Sequence, residues 1–230
     1  SGVDATGCLT RALRVAHQAG DGFGIANAAW HAGLTLVRSG HPNDALKCFQ
    51  LGQFSLNGVQ LDKSAPALRA DDPRIPTLTA WLTLNSATAY ALMDLPDQAK
   101  RCLAEAREGW APPDAHERGA MDRATAEIQL DLRRFDTAES FAASAVRTYG
   151  DTHRRGRTRA ELALAEVHVR AGEPRGLVLA RQAIEAVSTL QSVAARQERL
   201  VPLVTALEAR PGSDAKEIVR MARQVIAMRV

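Results

Sequence analysis

"GHPNDALKCF" (residues 40–49) and "DLPDQAKRCL" (residues 94–103) share one layout: a turn carrying proline, an acidic residue, then small and apolar residues at helical spacing. "AGEPRGLVLA" (171–180) repeats the proline turn, and "LRRFDTAESFAASA" (132–145) has the same shape without proline. Each stretch follows an apolar-periodic run of about 14 residues, which reads as one helix leading through a turn into a second. A helix–turn–helix unit that recurs along a chain predicts stacked hairpins, because one hairpin alone cannot bury its apolar face.

The small residues keep register from unit to unit. The first unit places Gly33, Leu36, Ala45, Phe49 and Gly52; the second Ala87, Tyr90, Ala99, Leu103 and Ala106. The third gives Ala126, Gln129, Ala138, Ala142 and Ala145. In the fourth, Ala165 and His168 lie on the first helix; the turn is one residue short, so Gly176, Ala180 and Ala183 take the small positions. Small residues let the two helices of a hairpin approach, and larger ones fill the space beside them. This pattern resembles the tetratricopeptide repeat. The fold expected is all-α, a right-handed superhelical solenoid of such hairpins with a C-terminal helical cap.

As one domain over 1–230, it divides into a half repeat at 4–20, repeats at about 24–57, 76–111, 115–150 and 154–190, and a cap at 192–230. Ala5, Leu9 and Ala12 hold second-helix positions with no first helix before them, so the chain reads as a fragment lacking an amino-terminal part. "NGVQLDKSAPALRADDPRIP" (57–76) interrupts the pattern as a loop or an extended second helix with a loop. Ser213 or Asp214 is the expected cap of the last helix.

Composition agrees with helix throughout. Alanine, leucine and arginine dominate and aromatics make up 4%. Basic side chains outnumber acidic ones 19 to 15 in residues 116–230 and fall short, 10 to 11, in residues 1–115. That imbalance is weaker than nucleic-acid-binding domains show. No apolar run reaches the roughly 18 residues of a membrane span, and no signal segment opens the chain. Three widely spaced cysteines make no disulfide framework, so a cytoplasmic location is expected.

Catalytic signatures are missing from the chain. Cys8, Cys48 and Cys102 fall one repeat apart at equivalent positions, which reads as small buried hydrophobes rather than a metal or redox site. No two of the six histidines form the spaced pair of zinc hydrolases, and no phosphate loop or nucleophile elbow occurs. Glu127 and Asp131 fit surface charge patterning along a helix. No enzyme activity, cofactor or metal is expected.

A stack of hairpins offers a concave surface lined by its first helices. Its inward positions give Asn27, Trp30, Leu34 and Val37, then Trp81, Leu84, Thr88 and Ala91. The later units supply Ala120, Arg123, Glu127 and Leu130, then Arg159, Leu162, Glu166 and Val169. Of these, Asn27, Trp30, Leu34, Trp81, Leu84, Thr88, Arg123, Glu127, Arg159 and Glu166 are the candidate groove residues. Aromatic and arginine side chains are the usual anchors of binding energy; space-filling between helices is the competing reading for Trp30 and Trp81.

"HRRGRTR" (153–159) concentrates four arginines and a histidine at the start of the fourth unit. Gly156 reads as the entry to the helix and Thr158 as its cap. Without interleaved aromatics or a recognition helix, the cluster reads as solvated charge, with Arg159 alone on the groove.

"RTRAELALAEVHVRAGEPRG", followed by "ARQAIEAV" and "AARQERLVPLVTALEARPG", carries a closer resemblance. It resembles the C-terminal half of regulators from high-GC bacteria that join a helix-turn-helix of the Cro/repressor type to a tetratricopeptide-like sensor. The resemblance implies a peptide or small-molecule ligand in the groove, homodimerisation, and DNA contact only through a missing amino-terminal domain. A plain scaffold for partner proteins, with no ligand and no link to DNA, is the alternative.

Overall fold

In the computed structural model, the described residues are 2–61, 72–190 and 193–228. Among them every regular element is a helix. The chain packs as two compact units, Ser1–Ala111 and Pro112–Val230.

The first unit holds α1 (Gly2–Gln18), α2 (Gly22–Arg38), α3 (Pro42–Leu61), α4 (Arg74–Leu92) and α5 (Pro96–Glu108). Asp21 starts α2 by accepting a hydrogen bond from the Gly24 N–H at 2.9 Å, satisfying one of the donors a helix start leaves open. Pro42 and Pro96 open α3 and α5, where a missing N–H costs nothing. Each helix packs on the next, and α2 also reaches α4. Their core includes Ala26, Phe49, Leu56, Ile75, Leu82 and Ala89. The Phe49 ring fills the space that a side chain on Gly33 would need. Asn57 and Gly58 lie inside α3, so the helix continues through the dipeptide read as a loop signal. Of the two readings of 57–76, its start is the extended second helix; residues 62–71 lie outside the described residues, and Arg74–Pro76 already belong to α4.

The second unit holds α6 (Ala115–Asp131), α7 (Phe135–Tyr149), α8 (Arg154–Arg170), α9 (Arg175–Ser188), α10 (Val193–Glu208) and α11 (Ser213–Ala227). Asp114 caps α6 through the Glu117 N–H at 2.8 Å. Consecutive helices from α6 to α11 pack together, as do α6 with α8, α8 with α10 and α9 with α11. Leu200, Leu203 and Leu207 of α10 and Ile218 and Ala222 of α11 complete a core with Leu162, Ile184 and Val187. The two helices expected as a cap therefore cover apolar surface that α8 and α9 would otherwise leave in water. Gly212, not Ser213 or Asp214, is the residue before α11, and no side chain caps that end.

Five helix ends close by the same backbone device. The N–H groups of Asp21, His41, Leu95, Arg134 and Glu173 each donate to the carbonyl five residues earlier. The residue before each is left-handed: Gly20, Gly40, Asp94, Arg133 and Gly172, with φ from +57° to +78°. This is the Schellman closure, which satisfies carbonyls left open at a helix end and turns the chain sharply. Its recurrence explains why one turn pattern repeats in the sequence. Asp94 and Arg133 adopt the conformation without being glycine.

The short turn before α9 is absorbed locally. Gly176 and Leu177 donate to carbonyls three residues back, Glu173 and Pro174, so α9 begins with a tightened turn. Gly176 then faces α8 closely enough that a Cβ would lie 2.7 Å from the carbonyl carbon of His168.

Tyr149 decides how α6 and α8 meet. Its ring occupies the space beside Gly119 of α6 and Gly156 of α8, where neither position could carry a Cβ without displacing it. Gly156 is thus a packing residue inside α8 rather than the entry to the helix. His153 precedes α8, and Thr158 is 3% exposed within it, so Thr158 is no cap.

Candidate functional site

The first unit brings aromatic rings into a row. Trp30 of α2 lies 6.4 Å from Trp81 of α4 between ring centroids, and Trp81 lies 6.2 Å from Trp110, just beyond α5. His31 adds a tilted ring 4.8 Å from Trp30. Trp30 and Trp81 are half-buried and Trp110 is buried, so two rings offer surface and the third packs against Trp81 out of solvent. The indole N–H of Trp30 is buried without an acceptor in the structure. Trp110 was missed by the repeat register because it follows the helix. Its only sequence signal was a large aromatic between the Gly109 helix end and the "APPD" turn.

Asn27 is exposed beside that row, and Leu34 and Thr88 are half-buried. Thr88 bonds back to the Leu84 carbonyl of its own helix at 3.4 Å. Leu84 departs from the expectation. It is 0% exposed and presents nothing to a ligand. The physical reason is that α4 packs against α2, α3 and α5, leaving little of its circumference free.

The second unit gathers charge between α6 and α8. Arg123 pairs with Glu127 one turn on at 2.5 Å, its own side chain only 11% exposed. Arg170 reaches Asp131 at 3.4 Å, Glu166 at 3.5 Å and the Leu130 carbonyl at 3.3 Å. Three carboxylates therefore share two guanidinium groups in a partly dehydrated place. Burial pushes the Glu166 carboxyl up to about 7; Glu127 and Asp131 add to the rise while Arg170 opposes it. Burial likewise raises Asp131 against the pull of Arg170. Arg123 is held firmly charged: burial opposes this, but Glu127 and the Tyr149 hydroxyl outweigh it. Asp131 and Arg170 escaped the groove register, although each stands four residues after a residue it named.

Arg159 is exposed at the start of α8 and takes no part in this network of hydrogen bonds. The rest of its cluster is solvated or locally paired. Arg154 and Arg155 are exposed, and Arg157 pairs with Asp151 and with Glu161.

Glu139, His168 and Glu173 bring ligand-type atoms within 4.8 Å of one another. His168 is 2% exposed, with Nδ1 2.9 Å from Glu173. Arg175 already lies on this group, 2.7 Å from Glu139 and 2.8 Å from Glu173. Its guanidinium supplies the positive charge a divalent cation would bring, and it ties α7, α8 and α9 together. The cysteines depart in part from the buried positions expected: Cys8 is exposed, and Cys48 and Cys102 are half-buried. Burial pushes both half-buried thiols up, aided by Asp44 and Glu105, away from the reactive thiolate. Among the described residues no helix is long and apolar enough to cross a membrane.

No protein-family model and no curated protein matches the chain. Among solved structures it is similar to BtubC (BKLC) from P. vanneervenii, with a TM-score of 0.57 and 15% identity over 97% of this chain and 86% of that one. At that identity the likeness concerns the fold.

Proposed function

We propose that the hairpins are tetratricopeptide-like repeats and that the chain is a ligand-sensing, protein-interaction domain of a cytoplasmic helix-turn-helix regulator. It binds a peptide or small molecule, forms a homodimer, and contacts DNA only through a further domain. The observation carrying the binding role is the pair of half-buried rings, Trp30 and Trp81, beside exposed Asn27 and His31. A rigid aromatic surface gives contact area at low entropic cost. The link to transcription rests on the resemblance of "RTRAELALAEVHVRAGEPRG" and the helical tail that follows it.

Titration of intrinsic tryptophan fluorescence with a peptide and metabolite collection tests the binding role. A bound ligand should shift the emission, and Trp81→Ala should weaken its binding. A folded Trp81→Ala or Arg123→Ala protein that binds equally well would sink the corresponding site. Sedimentation velocity reads the dimer. The coding sequence upstream reads the regulator: a helix-turn-helix there supports the reading, and its absence leaves the scaffold for partner proteins.

A further inference from the structure

A cavity of about 640 Å³ opens at the last two helices, α10 and α11. Arg210, Lys216, Arg220 and Arg223 line it, with Glu208 as the one carboxylate. Two of these cations are engaged by the fold. Arg210 donates to the Gly172 carbonyl at 2.9 Å, and Arg223 pairs with Glu208 at 2.6 Å. Lys216 and Arg220, one helical turn apart on α11, are exposed and meet no carboxylate among the described residues. Val219 lies between them in sequence, with Ala227 further along the same lining.

We propose that this cleft is a docking site for an acidic amphipathic polypeptide segment. The charge argument is direct: two cations have no carboxylate partner among the described residues, and carboxylates facing them would complete them. The lining argues for a polypeptide rather than a free anion or nucleic acid. Ala227 and the aliphatic stems of the exposed basic side chains offer apolar contact, over a floor closed by the buried Val219. Alternate apolar and acidic side chains on one helical segment use both features. A phosphate or a nucleic-acid backbone uses only the charge.

The test uses the full chain and a short fluorescein-labelled peptide with glutamate and leucine at helical spacing, read by anisotropy. Comparison probes are its glutamine-for-glutamate twin, an all-glutamate peptide and a labelled DNA duplex. The Glu/Leu peptide should bind tightest. Its affinity should fall with added salt and by on the order of tenfold or more in Lys216→Glu/Arg220→Glu. Both positions are exposed, and unchanged circular dichroism would show that the variant folds. Trp81→Ala should leave this binding unchanged, so the tryptophan site and this one fail separately. Absence of binding, equal affinity in the double variant, or equal or tighter binding of the glutamine twin, all-glutamate peptide or DNA would each overturn the proposal.

Discussion

Gly176 stands against the backbone of α8 so closely that a Cβ there would lie 2.7 Å from the carbonyl carbon of His168 and 2.7 Å from the nitrogen of Val169. Backbone atoms of the last turn of α8, where the His168 carbonyl also accepts the Glu173 N–H, cannot step aside as a flexible side chain can. Gly176→Ala should therefore destabilise the fold by roughly 2–3 kcal/mol, read from the urea midpoint. Gly58 is the internal control. It lies within α3 with nothing near a Cβ, so Gly58→Ala should stabilise by about 0.5–1 kcal/mol through helix propensity.

Glu166 gives stability a pH dependence of defined sign. Its carboxyl rises from 4.5 to about 7 on folding, chiefly through burial. The folded state then holds a proton that the unfolded state releases. This contribution is fully present below about pH 4.5, declines as pH rises, and is lost above about 7. The amplitude is at most about 3 kcal/mol from a shift of this size. Glu166→Gln should remove that slope and exceed the wild type in stability at pH 8. Thermal melts of both proteins from pH 4 to 8 would show it; parallel curves would refute the assignment.

Trp81 separates two other indoles. Trp81→Ala should cost roughly 1–3 kcal/mol, since the ring is half-buried, and should let water reach Trp110. A red shift in the emission of the two remaining tryptophans checks this. An unchanged emission maximum would mean that Trp110 is sheltered by something other than Trp81.

Arg175 holds the place of a cation between Glu139 and Glu173. Zinc should leave the melting temperature of the native chain unchanged, because binding would have to displace the guanidinium. In Arg175→Ala the carboxylates and His168 lose that positive charge, and zinc, by taking its place, should raise the melting temperature. Calorimetric scans with zinc and with a chelator distinguish the outcomes.

Helical character was readable because it is local. Apolar residues recurring along a helix face, Pro42 and Pro96 at helix starts, and Gly20, Gly40 and Gly172 at left-handed ends each act within a few residues. The one-residue deficit before Gly176 was readable for the same reason, and a tightened first turn accommodates it. Asp94 and Arg133 were harder to read as left-handed because neither side chain announces that conformation. Their place in the recurring register was the sole clue.

The sites depended on contacts across helices. Spacing placed Leu84 on a ligand-facing side, yet it is fully buried on a helix that packs against α2, α3 and α5. The same spacing could not reveal that Trp110, beyond the end of α5, joins the row with Trp81. Nor could it show that Asp131 and Arg170, on separate helices, enclose Glu166 in a partly dehydrated cluster. Gly156 shows the division in one residue. The arginine-rich stretch around it reads locally as a helix entry, but the Tyr149 ring, arriving from α7, makes it a packing position. By itself the sequence determined helices, turns and their order, because hydrogen bonds and φ preferences act along the chain. Only the tertiary structure decided which side chains stay accessible and which charges share one environment, because burial and Coulomb interactions depend on distance through space.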